Sequence, residues 1–279
     1  MGDIYRRNID YYERNAERYE DSSWYFFNKY KDNTLQEELR HCVDLLKKGH
    51  LEVLEIGPGT GYLLSKLITM KNLSLNYLGI EHSSEMTKIL MNRYRNKVQH
   101  IEILNASVSA DYIAGHLKGR TFDLIIGSSI LHHLPDYDSV IKQLSGLLNH
   151  DGIMYFLREP IHKNECLEPT IWQRRANHVY AYMNALFLKP GIKKILWPRK
   201  VKQEDTKDIA VHMFKEGISV KPFQDLCKNS FRLILFRKYN RRATSFFSYL
   251  ENKWLPWSRM DIFGNTLFAI GIQKKGRPE

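Results

Sequence analysis

The sequence contains little cysteine and no long apolar run. Its three cysteines, Cys42, Cys166 and Cys227, lie far apart in the chain, so they form neither a disulfide framework nor a paired zinc-binding motif. No run of about 18 apolar residues is present that could span a bilayer. The N-terminal residues also lack the apolar stretch of a secretory signal. We therefore expect a cytoplasmic protein without a metal site.

Net charge is unevenly distributed along the chain. Residues 1–157 carry 18 Lys and Arg against 20 Asp and Glu, whereas residues 158–279 carry 24 against 11. The whole excess of positive charge therefore lies in the C-terminal part. Such an asymmetry indicates an acidic partner, such as a phosphate-bearing substrate, a nucleic acid or an anionic membrane surface. A basic face that serves only solubility is the alternative.

Short apolar runs alternate with helix-length spacers after the first 50 residues. Strands that alternate with helices in this way predict βαβ units and a parallel sheet. The first five strand candidates are residues 53–56, 77–80, 101–104, 122–126 and 153–157, and two later candidates are residues 231–237 and 266–273. We predict an α/β fold with a doubly wound, mostly parallel seven-stranded sheet.

A glycine-rich turn, Glu55-Ile56-Gly57-Pro58-Gly59-Thr60-Gly61, follows the first strand candidate and precedes a helical stretch. Glycines permit a tight turn and let a ligand approach the backbone, and a helix start offers free N–H groups. Tyr62 stands where a dinucleotide-binding fold has its third glycine, which disfavours NAD. About twenty residues after Gly61, Glu81 ends the second strand candidate, where an acidic side chain can accept both hydroxyls of a ribose.

Together these features resemble the class I (Rossmann-like) S-adenosylmethionine-dependent methyltransferases. The resemblance covers residues 51–157 and includes the strand Phe122-Asp123-Leu124-Ile125, which leads to Leu131-His132-His133-Leu134. It implies S-adenosylmethionine as cofactor and a closing antiparallel hairpin made by the two late strands. It also implies that the cofactor-binding residues are Tyr19, Glu55, Gly57, Pro58, Gly59, Gly61, Glu81, His82, Asn105, Ala106 and Ser128.

Within this resemblance the residues have different expected roles. The acid and glycines of the turn line the methionine end, Glu81 holds the ribose, and Tyr11 and Tyr19 close over the cofactor. Where the family usually has an Asp that accepts from the adenine amino group, this chain has Asn105, whose amide oxygen can take that role. Ala106 would pack beside it and donate its backbone N–H.

Four residues are candidates for the proton-accepting group. His132 and His133 follow the fourth strand at its carboxyl end, where open α/β sheets bind their ligands. Methyl transfer mainly requires alignment of the acceptor and, for a hydroxyl acceptor, removal of its proton, for which imidazole is suited near neutral pH. Glu159 and His162, after the fifth strand, are alternative bases. The alternative is that the His pair is purely structural and only packs against and caps the next helix.

The chain divides into four predicted parts. These are an N-terminal helical cap (1–50), a cofactor-binding core (51–160), a basic aromatic insertion (161–222) and the closing strands of the core sheet (223–279). The insertion has the composition of a lid over the acceptor, a dimer contact or an interfacial membrane helix. The sequence does not decide between these, and it leaves the oligomeric state open.

The predicted function is methyl transfer to an oxygen or nitrogen of a small-molecule, carbohydrate or lipid-linked acceptor, including an anionic one. After the fourth strand the chain has Gly127-Ser128-Ser129-Ile130, which is neither the Asn/Asp-Pro-Pro-aromatic motif nor the Pro-Cys pair of base-methylating enzymes. Adenine and 5-methylcytosine methylation are therefore disfavoured. Two alternatives remain: an RNA (tRNA) methyltransferase that uses the basic C-terminal half, and a non-catalytic cofactor-binding scaffold.

Overall fold

The structure is a computed structural model that describes residues 10–19, 29–162, 217–239 and 267–276. Residues 10–15 are helical and continue into a 3-10 turn, Ala16–Arg18. The further helices are α1 Lys29–Leu46, α2 Tyr62–Leu67, α3 Ser84–Tyr94, α4 Ala110–His116, α5 Tyr137–Gly146 and α6 Lys221–Asn229, with a second 3-10 turn at Leu131–His133. The strands are β1 His50–Ile56, β2 Ser74–Glu81, β3 His100–Asn105, β4 Phe122–Ser128, β5 Leu148–Pro160, β6 Phe231–Tyr239 and β7 Leu267–Lys274.

All seven strands form one sheet in the order β3-β2-β1-β4-β5-β7-β6. The first five strands run parallel, while β7 pairs antiparallel with both β5 and β6. This confirms the predicted fold class and the antiparallel closing hairpin. The strand order reverses between β1 and β4, and the carboxyl ends of such neighbours form the crevice in which open α/β sheets bind ligands.

Each face of the sheet is covered by helices because alternate strand residues point to opposite sides. On one face Leu54 and Met154 pack with α4, α5 and α6. On the other face Val53 and Tyr155 pack with α1, α2 and α3. Burial of each large apolar side chain stabilises the fold by about 1.5–3 kcal/mol. In the described ranges, no helix has the length and apolar character needed to cross a membrane.

Three predicted parts extend beyond what the structure describes, and in the closing-strand part the residues outside it are 240–266 and 277–279. Of the insertion, residues 163–216 lie outside the described residues, and so do residues 1–9 and 20–28 of the predicted cap. The cap and the lid therefore stay predictions. The described end of the insertion returns to the sheet, where Ile218 bridges to Ile161 at the end of β5.

At the amino edge of the sheet, Asp123 joins three elements. One carboxylate oxygen lies 2.6 Å from Lys48 Nζ and 2.8 Å from Asn149 Nδ2, and the other accepts the N–H of Glu52 at 3.0 Å. Burial raises the pKa of Asp123, but these hydrogen bonds outweigh it and hold the pKa below its ordinary value. The Asp123 strand that carries part of the family resemblance thus contains a structural carboxylate, remote from the ligand-binding edge.

We expect Asp123→Asn to lower the free energy of unfolding by about 2 kcal/mol, because an amide cannot accept all three hydrogen bonds of the carboxylate. Chemical denaturation measures this change. The matched control is Asp225→Asn, which weakens an exposed ion pair with Lys228 and should leave the free energy of unfolding almost unchanged, because solvent screens exposed pairs. Equal losses in the two variants would contradict the structural role of Asp123.

Candidate active site

The glycine turn crosses the carboxyl end of β1 with a backbone that favours glycine. Gly57, Gly59 and Gly61 have φ angles of +64°, +55° and +89°. Residues that carry a side chain rarely adopt this region of backbone conformation. An added Cβ at Gly57 would lie 2.6 Å from Cδ1 of Ile130, but at Gly59 its nearest neighbour is Sδ of Met86 at 3.5 Å. A side chain at position 57 would therefore require the Ile130 side chain to move. At position 59 the surroundings leave room for one.

Glu81 connects this turn to the end of β2. Its two carboxylate oxygens accept the N–H of Gly59 at 2.8 Å and the N–H of Ser83 at 2.9 Å. The side chain is only 3% exposed. A carboxylate has about four lone-pair sites, so these two bonds leave capacity for the hydroxyls of a ribose. The structure thus places Glu81 beside the glycine turn, as the sequence predicts.

Glu55 is buried beneath the turn and hydrogen-bonds to a tyrosine that the sequence analysis missed. The hydroxyl of Tyr77 donates to its carboxyl group at 2.6 Å. Burial raises the pKa of Glu55 to about 8, against an ordinary value of 4.5, although the bond from Tyr77 lowers it. The Glu55 side chain is therefore a neutral acid near pH 7.

This pKa predicts how the stability of the folded chain varies with pH. Between pH 4.5 and 8 Glu55 is protonated when folded and ionised when unfolded, so the unfolded state binds fewer protons and stability falls as pH rises. Glu55→Gln removes this titration and keeps an acceptor for Tyr77. From pH 5 to 8, the unfolding free energy of the wild type minus that of the variant should fall by at most about 1.4 kcal/mol per pH unit, most steeply midway between the two pKa values. A pH-independent difference would mean that Glu55 is ionised in the folded protein.

Asn105 and Ala106 lie at the end of β3, next to Glu81. The amide nitrogen of Asn105 donates to the carbonyls of Glu81 and His82, at 3.1 and 3.4 Å. Since both bonds use the nitrogen, the amide oxygen is available for a donor such as an adenine amino group. The N–H of Ala106 already donates to the Glu81 carbonyl at 3.1 Å. For Ala106, this geometry supports packing rather than donation to a ligand.

On the other side of the crevice, Glu159 holds the 3-10 turn that follows β4. One oxygen accepts the N–H groups of Ile130 and Leu131 at 2.8 and 3.0 Å. The other accepts the N–H of His132 at 3.3 Å and lies 2.9 Å from Nδ1 of its ring. Glu159 is fully buried. These contacts make it a poor candidate for direct proton transfer from an acceptor.

His133 is half-buried and is the less buried member of the His pair. Its ring lies 4.2 Å from that of His132, and its Nε2 is 3.2 Å from the hydroxyl of Tyr12. Burial lowers the pKa of His133 well below its ordinary value, and His132 and His82 lower it further. The imidazole of His133 is therefore neutral at physiological pH. A neutral imidazole offers one lone pair for a proton.

The N-terminal segment, residues 10–19, reaches both sides of the crevice. The ring of Tyr12 makes edge contacts with His82, His133 and Tyr19 at centroid distances of 5.6, 5.8 and 5.9 Å. The Glu13 carboxylate accepts N–H groups at the start of α3, including that of Glu85 at 3.2 Å. Tyr19 thus contacts the site through Tyr12, while Tyr11 is exposed. Nothing in the sequence distinguishes Tyr12 from Tyr11 and Tyr19, so the contact of Tyr12 with the site was not predicted.

The remaining predicted residues lie around the same edge. Pro58 is within the turn, where its carbonyl accepts the N–H of Gly61 at 2.9 Å, and Ser128 is the last residue of β4. His162 lies beyond β5, and its backbone N–H donates to Ile218 at 2.9 Å. The structure thus brings the His pair together with Glu159. His162 lies two residues beyond the end of β5. In the described part of the chain, no cluster of metal-binding side chains occurs.

A buried arginine at this edge was not predicted. Arg158 has a φ of +61° at a register shift between β5 and β7. Its guanidinium donates to the hydroxyl of Tyr62 at 2.9 Å and lies over that ring at 4.6 Å. Strained backbone often occurs at functional sites. The only signal in the sequence was a charged pair, Arg158-Glu159, directly after an apolar strand.

Comparisons with known proteins agree with this geometry. Residues 54–154 match the family described as "Methyltransferase domain". Among curated proteins, the uncharacterized methyltransferase YrrT of Bacillus subtilis (strain 168) is 29% identical over 119 residues, which are 41% of this chain and 51% of YrrT. The chain thus spans about half the length of this curated relative.

Two solved structures share the fold. The DhpI–SAH complex is 12% identical, with a TM-score of 0.52, and the match covers all of both chains. Coclaurine N-methyltransferase, bound to N-methylheliamine and SAH, is 12% identical, with a TM-score of 0.51 over 88% of this chain and 71% of that chain. At such identities the likeness establishes the fold.

Proposed function

We propose that this chain, whose residues 54–154 are a class I methyltransferase domain with S-adenosylmethionine as cofactor, methylates an oxygen or nitrogen of a small-molecule, carbohydrate or lipid-linked acceptor. The match to the methyltransferase family and the SAH-bound structure with the same fold confirm the family and the cofactor that the resemblance implied. The acceptor, the methylated atom and a cytoplasmic location are parts of the proposal. The N-methyltransferase among the solved structures was bound to a small molecule, which supports a small acceptor here.

The residues present fit S-adenosylmethionine. Gly59 leaves space where a Cβ would stand, with Met86 as its nearest neighbour at 3.5 Å. Glu81 offers acceptor capacity for ribose hydroxyls, and Asn105 offers an amide oxygen for an adenine amino group. When bound, the cofactor supplies a methyl group activated by its positively charged sulfur. The chain must then hold the acceptor in line with that methyl group and remove a proton from it.

The observation that carries the proposal is the contact between Gly57 and Ile130. An added Cβ at Gly57 would meet Ile130 at 2.6 Å, and Ile130 directly precedes the turn that contains His132 and His133. The glycine turn therefore packs against Ile130, the residue directly before the turn that carries the His pair. This arrangement supports a proton acceptor next to the methyl donor, as transfer to a hydroxyl or amine requires.

We expect Gly59→Ala to weaken binding of S-adenosylhomocysteine at least tenfold in calorimetric titration, because the added methyl group stands where a ligand approaches the backbone. Gly119→Ala is the matched control. Gly119 also has a positive φ, +85°, and nothing lies within 4 Å of an added Cβ. It should carry a similar backbone strain of about 1 kcal/mol but leave affinity unchanged. Equal affinity in the two variants would place the cofactor away from this turn.

A transfer assay with labelled S-adenosylmethionine then tests the acceptor class. Small hydroxyl and amine compounds, glycans, lipid-linked sugars and tRNA form the separate arms of the screen. Product in a small-molecule, glycan or lipid-linked arm supports the proposal. Product with tRNA alone, with binding that weakens steeply between 50 and 200 mM salt, would overturn it in favour of the RNA alternative.

A further inference from the structure

We propose that Glu13 is a positioning residue that anchors residues 10–19, here called the strap, to the start of α3, and that release of this anchor controls how fast the cofactor enters and leaves its site. The inference rests on the proposed function and concerns access to the same site. Neither Glu13 nor its neighbour Tyr12 was among the site residues that the sequence predicted.

The strap crosses the crevice at the carboxyl edge of the sheet. β1 lies between β2 and β4 in the sheet order, so the glycine turn after β1 lies between the residues that follow β2 and β4. The Tyr12 ring contacts His82 after β2 and His133 after β4, at centroid distances of 5.6 and 5.8 Å. Its hydroxyl is 3.2 Å from Nε2 of His133. Tyr12 therefore joins the two sides of the crevice across the glycine turn.

This course of the chain encloses the place expected for the cofactor. A ribose held by Glu81 lies on the β2 side of the crevice, and a methyl group presented to the acceptor lies on the β4 side. A ligand that reaches both sides passes beneath Tyr12. Its exchange with solvent past this residue then requires the strap to move, as the closing loops of many enzymes do.

Glu13 holds the strap through the first turn of α3. The first N–H groups of an α-helix have no partner within the helix. Ser83, the residue before α3, caps one of them with its own hydroxyl oxygen. The N–H groups of Ser84 and Glu85 donate to the two carboxylate oxygens of Glu13. A carboxylate at a helix start is also favoured by the helix dipole, so Glu13 completes the cap of α3 from a distant part of the chain.

The anchor lies directly beside the expected ribose site. The N–H of Ser83 donates to one carboxylate oxygen of Glu81 at 2.9 Å, and the N–H of Gly59 donates to the other at 2.8 Å. The strap, the start of α3 and the glycine turn are therefore joined through adjacent hydrogen bonds.

The strap is held weakly enough to open. Among the strap side chains that the structure describes, only that of Ala16 is buried, while Glu13 is half-buried and Tyr11 is exposed. Segments with few buried contacts open at a low free-energy cost. In addition, Nε2 of His82 is buried without a hydrogen-bond partner in the described part of the chain. A buried unpaired nitrogen is costly, and this cost favours lifting Tyr12 from His82.

Loss of the anchor should ease entry and exit alike, because Glu13 contacts α3 rather than the ligand. The association and dissociation rates then both rise, and their ratio, which sets the affinity, stays the same. Loss of a helix-capping contact typically changes an equilibrium about fivefold. A residue that only stabilised the fold would lower the melting temperature and leave both rates unchanged.

Stopped-flow fluorescence with S-adenosylhomocysteine measures both rates on the full chain. We expect Glu13→Ala to raise both rates about fivefold with the affinity unchanged, and Glu13→Gln, which keeps one acceptor oxygen, to raise them less. The matched control is Glu17→Ala, which removes an exposed carboxylate of the same segment and should leave both rates unchanged. Equal rates in the wild type and Glu13→Ala, or a rise of the dissociation rate alone, would overturn the proposal.

Hydrogen exchange of the full chain without ligand tests the anchor separately from the cofactor. The amide hydrogens of residues 10–19 should exchange about fivefold faster in Glu13→Ala than in the wild type, and no faster in Glu17→Ala. Unchanged exchange in Glu13→Ala would overturn the anchor. Failure of the proposed function looks different, because S-adenosylhomocysteine would then bind to none of these proteins while the exchange of the strap still responded to Glu13→Ala.

Discussion

The site depends on the close approach of Gly57 and Ile130. The carboxyl ends of β1 and β4 are neighbours in the sheet, and each leads into a turn that must cross the same crevice. A side chain at position 57 would overlap Ile130, with only 2.6 Å between the carbon atoms. Because Gly57 has no side chain, the glycine turn can pack against Ile130, which directly precedes the 3-10 turn Leu131–His133. We propose that one of these turns faces the cofactor and that the other contributes the proton-accepting group.

Three buried glutamates then support this edge in three different ways. Glu55 is kept neutral by burial and accepts a bond from Tyr77. Glu81 accepts two backbone N–H groups and joins the glycine turn to β2. Glu159 accepts three and orients His132. Burial of a carboxyl group is costly unless donors compensate it, so each acid is tied to the backbone or hydroxyl groups that surround it.

The sequence predicted what depends on local pattern. A few consecutive residues are enough to predict each strand candidate, the glycine turn and the acid at Glu81. The order of these features along the chain then implies the sheet. It could not predict which of several tyrosines reaches His133, because Tyr12 is 121 residues away in the chain. The bond between His132 and Glu159 spans 27 residues. Its geometry depends on how β4 and β5 align.

Arg158 illustrates the same limit. Its left-handed backbone and its contact with Tyr62 arise from a register shift between β5 and β7, and no pattern in the flanking apolar residues indicates such a shift. The roles expected for the cofactor-binding residues stay predictions, although the structure brings most of them to one edge. Residues 163–216, which hold most of the basic aromatic insertion, lie outside the described part of the chain.

A crystal structure of the chain with bound S-adenosylhomocysteine tests the central claim most directly. The account predicts the ribose hydroxyls within hydrogen-bond distance of Glu81, the adenine amino group facing the amide oxygen of Asn105, and the sulfur directed toward the turn that contains His132. A ligand bound elsewhere, or a sulfur turned away from that turn, would contradict it.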